Sequence, residues 1–461
     1  MSLIKSISGI RGTIGGKTGD NLTPIDIVKF ASAYGTWLKR TSNKQFLKII
    51  IGRDARISGK MVSDLVCATL QSLGVHVVDL GLSTTPTVEV MVTHLHADGG
   101  IILTASHNPK QWNALKLLNS KGEFISDKDG EELLKIADNE DFDFAQIDDL
   151  GICDKNIEAI DYHINQILNL PLVDVGAIKG AHLKVVTDCV NSTGGISVPA
   201  LLKKLGVNVI EMYSEPNGHF PHNPEPLEKN LGEIMKRVPE EKADLGIVVD
   251  PDVDRLALIC EDGTMFGEEY TLVAVADYVL SQTPSPTVSN LSSSRALRDI
   301  TEKYSQKYEA SAVGEVNVVA KMKEIGAKIG GEGNGGIIYP ELHYGRDSLV
   351  GIALFLTHLA KKGISVKKLR ETYPSYFMGK QKIDLNPAID TDLILFRLTE
   401  KYKSENITTI DGLKIDFPTG WVHLRKSNTE PIIRIYTEAP TQKEADELAE
   451  RFIKEIRESS R

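Results

Sequence analysis

The sequence predicts an α/β protein of three related α/β domains with mixed, largely parallel sheets, followed by a small C-terminal α+β domain. Three observations carry that expectation. Short β-branched runs alternate with helix-period stretches over the first three quarters of the chain. An internal echo recurs, in which LKIIIGRDARISG leads to LGVHVVDLG and HLKVVTDCVNSTGG leads to LGVNVIEMY. The interval from Asp54 to Gly74 resembles that from Asp188 to Gly206, and a weaker third copy starts at TVSNLSSSRALRDI. The end of the chain lacks the repeat and closes on an amphipathic helix, KEADELAERFIKEIRE.

At 461 residues the chain exceeds what one hydrophobic core supports. The expected domains are residues 1–152, 153–258, 259–372 and 373–461. The acidic, aliphatic-poor stretch DNEDFDFAQIDDLG approaches the first boundary, EDGTMFGEEY marks the second, and Pro374 with its aromatic neighbours marks the third. The longest apolar stretch, near Leu349, is broken by Gly351, so no segment is expected to span a bilayer. The first residues, MSLIKSISGIRG, have no export-signal pattern, and a cytoplasmic location is expected. Cys67, Cys153, Cys189 and Cys260 form no CxxC pair and read as reduced thiols. A net charge of −10 argues against nucleic-acid and membrane partners, so an anionic substrate would need a local cluster of cations.

The polar motifs follow apolar strand-like runs: IGRD follows KII, TASHNP follows GGIIL, DPDVDR follows LGIVV, and GEGNGG follows AKIG. In parallel α/β sheets, sites form beyond the carboxyl ends of strands, so several domains should turn these loops into one cleft. Ser106 stands just past a strand end that Pro109 stops, where a hydroxyl is exposed enough to react. Asp250, Asp252 and Asp254 alternate, which lets their oxygens converge on one hard divalent cation. Arg255 stands where an EF-hand needs glycine, which argues against that loop. Residues 331–336 formally match GxGxxG but lack the helix start and the later acidic residue of a dinucleotide site. They read better as a loop whose Glu332 and Asn334 grip sugar hydroxyls. Arg425, Lys426, Ser427, Asn428 and Thr429, with Arg434 beyond, combine cations and neutral donors as a phosphate cradle. The pairs His94/His96 and His219/His222 have no third ligand at sensible spacing and read as structural.

Together these motifs resemble the α-D-phosphohexomutase family. The family's TASHNPxxxNxxK is matched from Thr104 through Asn113 to Lys116, and its DxDxDR at residues 250–255. Its GExSG is matched with departures at residues 331–335, its RxSxTEP at residues 425–431, and its GxRG at residues 9–12. The resemblance implies four domains around a central cleft, and a phosphorylated Ser106 that shares one Mg2+ per chain with Asp250, Asp252 and Asp254. It implies Lys116, Arg11, Arg255 and His107 as groups for proton transfer or charge stabilisation near the serine. Glu332, Asn334 and Glu315 would meet the sugar. Arg425, Ser427, Asn428, Thr429 and Arg434 would hold the non-reacting phosphate. A hexose 1,6-bisphosphate would act as intermediate and activator, and the partner would be a small phosphosugar, with the enzyme a monomer or homodimer.

The departures bear on the sugar. Asn334 and Gly336 replace the serine and histidine of the common GEMSGH loop, and Val313-Gly314-Glu315 stands where histidine is frequent. Trp112 and Ala114 alter the usual YNG. The GEGNGG form resembles archaeal-type members, which include phosphoglucosamine mutases, phosphomannomutases and phosphoglucomutases. Because Glu315 and Glu332 both suit a protonated amine, glucosamine 6-phosphate is the expected substrate, converted to glucosamine 1-phosphate for UDP-N-acetylglucosamine synthesis. Mannose and glucose phosphates are the alternatives. A haloacid-dehalogenase-type phosphatase fits less well, because Asp254 occupies its Thr/Val position and TASHNP goes unexplained. A non-catalytic sugar-phosphate sensor would not need Ser106, Lys116 and all three aspartates.

Overall fold

A computed structural model describes residues 2–6, 9–42, 44, 46–384, 390–426 and 432–459. The strand–helix echo of the sequence becomes three copies of one topology. In the first, the parallel strands Lys48–Arg53, His76–Leu82 and Gly99–Leu103 alternate with the helices Gly59–Ser72 and Thr85–His94. The antiparallel strand Trp112–Leu118 follows. The second copy runs Lys184–Asp188, Asn208–Met212, Leu245–Val249 and antiparallel Leu256–Cys260. The third runs Thr287–Asn290, Tyr308–Ser311, Ile329–Glu332 and antiparallel Gly336–Ile338. In each sheet the fourth strand lies beside the third, the third beside the first, and the first beside the second.

The first sheet reaches seven strands because Ile4–Ser6 and Gly9–Thr13 extend one edge and Cys153–Lys155 the other. The central strands Gly99–Leu103 and Leu245–Val249 are buried along their whole length, as expected of strands covered on both faces. The C-terminal unit breaks the pattern. Its five strands, in the order Phe377–Asp384, Ile432–Ala439, Trp421–Lys426, Leu413–Asp416 and Asn406–Thr408, are all antiparallel. The closing helix Gln442–Ser459 covers this sheet, burying Ala445, Ala449, Phe452 and Ile456 at the spacing of one helical face.

The most apolar stretch of the chain is the helix Ser348–Lys362, buried from Ser348 to Leu359. It packs against the helix Glu268–Gln282 and joins the second and third units in one hydrophobic core. The first and fourth units keep their own cores. Among the described residues, no helix is long and apolar enough to cross a membrane. Cys67, Cys189 and Cys260 are buried free thiols, and Cys153 is exposed.

The three copies place their polar loops equivalently. Residues 104–111, 250–255 and 333–335 all join the third strand of a unit to its antiparallel fourth. That shared position turns serine, aspartates and glycine loop into one cleft.

Candidate active site

Ser106, expected to stand exposed, is instead 7% exposed and held in place at the cleft wall. Its backbone lies at φ +48°, a left-handed conformation uncommon for a non-glycine residue. Buried Arg56, just past the first strand, holds it there. Its Nη2 donates to the carbonyls of Ser106 and Asn108, and its Nη1 donates to Pro109 and Trp112 at 2.8 and 3.0 Å. Asp54 orients the guanidinium through Nε at 2.9 Å and accepts from Thr104 Oγ1 at 2.6 Å. Thr104 in turn accepts from the Ser106 amide at 2.9 Å. Asp54 and Arg56 therefore organise the serine loop, a role that IGRD in the sequence did not disclose.

So constrained, Ser106 Oγ donates to Asp250 Oδ2 at 2.6 Å. Asp250, Asp252 and Asp254 are wholly buried, and their carboxylate oxygens gather within 4.8 Å of one another. Val253 between them sits at φ +65°, a strained point at the site. Asp250 Oδ1 accepts from the amides of Asp254 and Arg255, both at 3.2 Å. Asp252 Oδ2 accepts from Thr85 Oγ1 at 2.5 Å and Lys116 Nζ at 2.7 Å. Asp254 Oδ2 accepts from Arg346 Nη2 at 2.7 Å, with Lys116 Nζ at 3.4 Å. Asp252 Oδ1 and Asp254 Oδ1 are buried with no hydrogen-bond partner. Unpaired buried carboxylate oxygens are costly, and three carboxylates facing one hydroxyl form the hard oxygen set that suits Mg2+.

The charges respond to this crowding. Burial, then the neighbouring Asp252 and Asp254, push the Asp250 carboxyl well above the usual carboxylate range. Burial also acts on Asp254, but Arg346, Lys116 and Arg255 hold it below that range. For Lys116 burial is again outweighed, here by Asp252 and Asp254, which raise the ammonium above its ordinary value. Lys116 is thus a fixed cation at the triad. His107 Nδ1 lies 3.3 Å from Ser106 Oγ, and burial together with Arg255 pushes its imidazole down to about 2, so it stands neutral beside the serine. Burial and Arg255 also lower the Arg11 guanidinium.

Ser106 and the cations around it line a cleft of about 690 Å³ that draws on all four units, with the aspartate triad buried beside it. Ser106, His107, Arg11 and Lys116 line it from the first, Arg255 from the second, Glu315, Glu332 and Asn334 from the third, and Arg434 from the fourth. Arg346, which the sequence reading missed, sits at their centre. Its Nη1 donates to Glu332 at 2.7 Å, its Nε lies 3.0 Å from Glu315, and its Nη2 holds Asp254. One guanidinium therefore meets three buried carboxylates. Asn290 and the Gly314 amide complete the hold on Glu332 Oε1. A Cβ at Gly336 would collide with Arg346 Cδ, and one at Gly333 with the Glu269 carboxylate, so this loop needs glycine for close approach.

Two expected phosphate ligands part ways. Arg434 lines the cleft with Lys380 and Tyr436, whereas Arg425 is paired to Asp411 at 2.9 Å and is not among the lining residues. Ser427, Asn428 and Thr429 fall outside the described residues. Among the histidines read as structural, His94 stacks on Tyr162 and His222 Nε2 lies 2.9 Å from Asp188.

Comparison with known proteins agrees with this geometry. The four phosphoglucomutase/phosphomannomutase domain descriptions match in order: alpha/beta/alpha domain I at residues 3–144, II at 161–263, III at 267–376 and the C-terminal domain at 379–455. A phosphoglucomutase/phosphomannomutase of Thermococcus kodakarensis is 36% identical over 454 residues, covering 97% of this chain and 98% of that one. A phosphoglucosamine/phosphogalactosamine mutase of Sulfurisphaera tokodaii is 32% identical, covering 97% and 98%. Among solved structures, a phosphoglucomutase/phosphomannomutase family protein of Burkholderia thailandensis superposes with a TM-score of 0.85 at 24% identity, covering 99% and 98%. An N-acetylphosphoglucosamine mutase of Aspergillus fumigatus, solved with GlcNAc-6P and magnesium, shares the fold at a TM-score of 0.58, covering 94% and 97%. With four matching domains and a cleft that gathers serine, aspartates and cations, the chain belongs to the phosphoglucomutase/phosphomannomutase family and is a phosphosugar mutase.

Proposed function

We propose that this enzyme interconverts hexose 6-phosphate and hexose 1-phosphate through phosphorylated Ser106 and a hexose 1,6-bisphosphate, with glucosamine 6-phosphate preferred. The observation that carries the reading is Ser106 Oγ, 2.6 Å from Asp250 within a triad that leaves two buried carboxylate oxygens without donors. Asp250, Asp252 and Asp254 would hold Mg2+, which supplies charge neutralisation for a phosphoryl group in transfer.

The residues divide the remaining tasks. Ser106 gives its phosphoryl group to the free hydroxyl of the bound monophosphate: its Oγ–P bond breaks as the sugar oxygen bonds to phosphorus, and the hydroxyl proton ends on Ser106 Oγ. The bisphosphate reorients in the cleft, and Ser106 Oγ then takes the other phosphoryl group, its proton passing to the sugar oxygen released. Lys116, Arg11 and Arg255 supply positive charge and donors around the serine, and neutral His107 stands beside Ser106 Oγ, whose own proton is donated to Asp250 before phosphorylation. Arg434 and, once released from Asp411, Arg425 bind the distant phosphate, with Ser427, Asn428 and Thr429 adding neutral donors. Glu332 and Asn334 read the sugar hydroxyls.

The preference for an amino sugar rests on charge. With Lys116 also facing Asp254, Arg346 is left to offset Glu315 and Glu332 together, so the sugar end keeps one carboxylate to meet an ammonium. The name of the Sulfurisphaera relative agrees with that choice. Small phosphosugars are the only partners the reading requires, in a monomer or homodimer.

The test is turnover on glucosamine, glucose, mannose and N-acetylglucosamine 6-phosphates, with Mg2+ and trace hexose 1,6-bisphosphate. Isomer formation lost in Ser106→Ala supports the phosphoserine route, and full activity in that variant sinks it. The ranking of kcat/KM names the sugar, and a glucose or mannose optimum overturns the amino-sugar preference.

A further inference from the structure

A second group of metal-type donors lies where the three α/β units meet. His163 comes from the helix Ala159–Leu168, Glu89 from the helix Thr85–His94, and His343 and Asp347 from the segment that leads into the helix Ser348–Lys362. His163 and Asp347 are wholly buried, and His343 is 9% exposed. The two imidazoles converge on one atom, with His163 Nε2 3.0 Å and His343 Nε2 3.4 Å from Asp347 Oδ2. All three donor atoms lie within 4.8 Å of one another. Ligands held at ~2.0–2.2 Å around a tetrahedral ion stand roughly 3.3 Å apart, so two of the three separations already suit one.

The surroundings match a metal centre as well. The far nitrogen of each imidazole faces an oxygen that would fix its tautomer: His163 Nδ1 is 2.9 Å from Thr87 Oγ1, and His343 Nδ1 is 3.2 Å from Glu89 Oε2. Asp347 Oδ1 accepts from the amides of Leu349 and Val350 at 2.8 and 3.3 Å, which turns Oδ2 toward the imidazoles. Glu89 is wholly buried, and neither of its oxygens accepts a hydrogen bond. Such a carboxylate is costly unless positive charge lies close by.

We propose that His163, His343 and Asp347 form a second metal site, distinct from the aspartate triad, for a transition-metal dication of the zinc class. Two imidazole nitrogens and one carboxylate oxygen favour such an ion over Mg2+, which prefers an all-oxygen shell. A dication balances the two carboxylates Asp347 and Glu89, with both imidazoles as neutral ligands. The bound ion ties the second unit to the third, and Glu89 extends the tie to the first.

The test strips the full-length enzyme with a chelator and dialyses it against Zn2+ or Co2+ in excess Mg2+. The expected result is one ion per chain that Mg2+ does not displace, kept in Asp250→Asn and lost in His343→Ala. Co2+ at this site should give the visible absorbance of a nitrogen-ligated tetrahedral ion. No retained ion, or an ion lost in Asp250→Asn but kept in His343→Ala, overturns the proposal. Should His343→Ala fail to fold, Glu89→Gln decides: affinity roughly 10–100-fold weaker supports the site, and unchanged affinity rejects it.

Discussion

The serine loop at residues 104–111 and the sugar loop at residues 333–335 occupy the same topological place in their units, and each depends on one buried arginine. Arg56 spends its donors on four carbonyls and has one carboxylate partner, Asp54. Arg346 meets three carboxylates, Asp254, Glu315 and Glu332. The first arginine shapes backbone, and the second sets charge. A guanidinium serves both purposes because its fork of N–H donors is planar and always charged. On the proposed mechanism, the loop that presents Ser106 is braced by geometry and the loop that meets the sugar is poised by electrostatics.

The sharpest way to break this division is Arg346→Met. It leaves three carboxylates buried with Lys116 as their nearest remaining cation, and should lower stability by roughly 3–5 kcal/mol. Mg2+ affinity, read by titration calorimetry, should change with it, because Asp254 loses its principal partner. Next comes Arg56→Lys, which keeps the charge but cannot reach all four carbonyls. The expected loss is about 2–3 kcal/mol by thermal unfolding, with kcat falling about tenfold and Mg2+ affinity held. Equal losses of Mg2+ affinity in the two variants would dissolve the distinction.

Glu269, which lies against Gly333, offers a test through pH. Burial pushes its carboxyl up from the ordinary 4.5 to about 8, so the folded state binds the proton more tightly than the unfolded chain. Its contribution to stability is therefore present below pH 4.5 and is lost as pH rises towards 8. Glu269→Gln should flatten the pH dependence of Tm across that window and raise Tm at its alkaline end. An unchanged slope would mean that the sugar loop does not feel this carboxyl. The smallest effect is expected from Gly336→Ala. Its new methyl falls against Arg346 Cδ, so it should shift the pinned guanidinium without removing it, and raise KM about three- to tenfold with kcat nearly kept.

Much of this was legible in the chain itself. The repeat stood out because Asp54 and Asp188 end equivalent strands, and Ser106 and the three aspartates because their motifs are contiguous. The antiparallel fourth strand of each unit left no such mark, since its apolar run reads like any buried strand. Arg56, Thr85 and Arg346 were invisible as site residues because they act across 50, 167 and 92 positions. Spacing along the sequence carries no trace of such pairs. Arg425 shows the converse, a motif residue whose side chain is bound to Asp411 instead of facing the cleft.

The pairing of Ser106 with Asp250 spans 144 residues and two different sheets. On the proposed mechanism no single unit contains a working centre, and turnover needs neighbours in place. Activity in this enzyme is a gauge of assembly. A substitution that loosened the seam between the first unit and the shared core of the second and third would silence the chemistry while leaving the cores on either side intact.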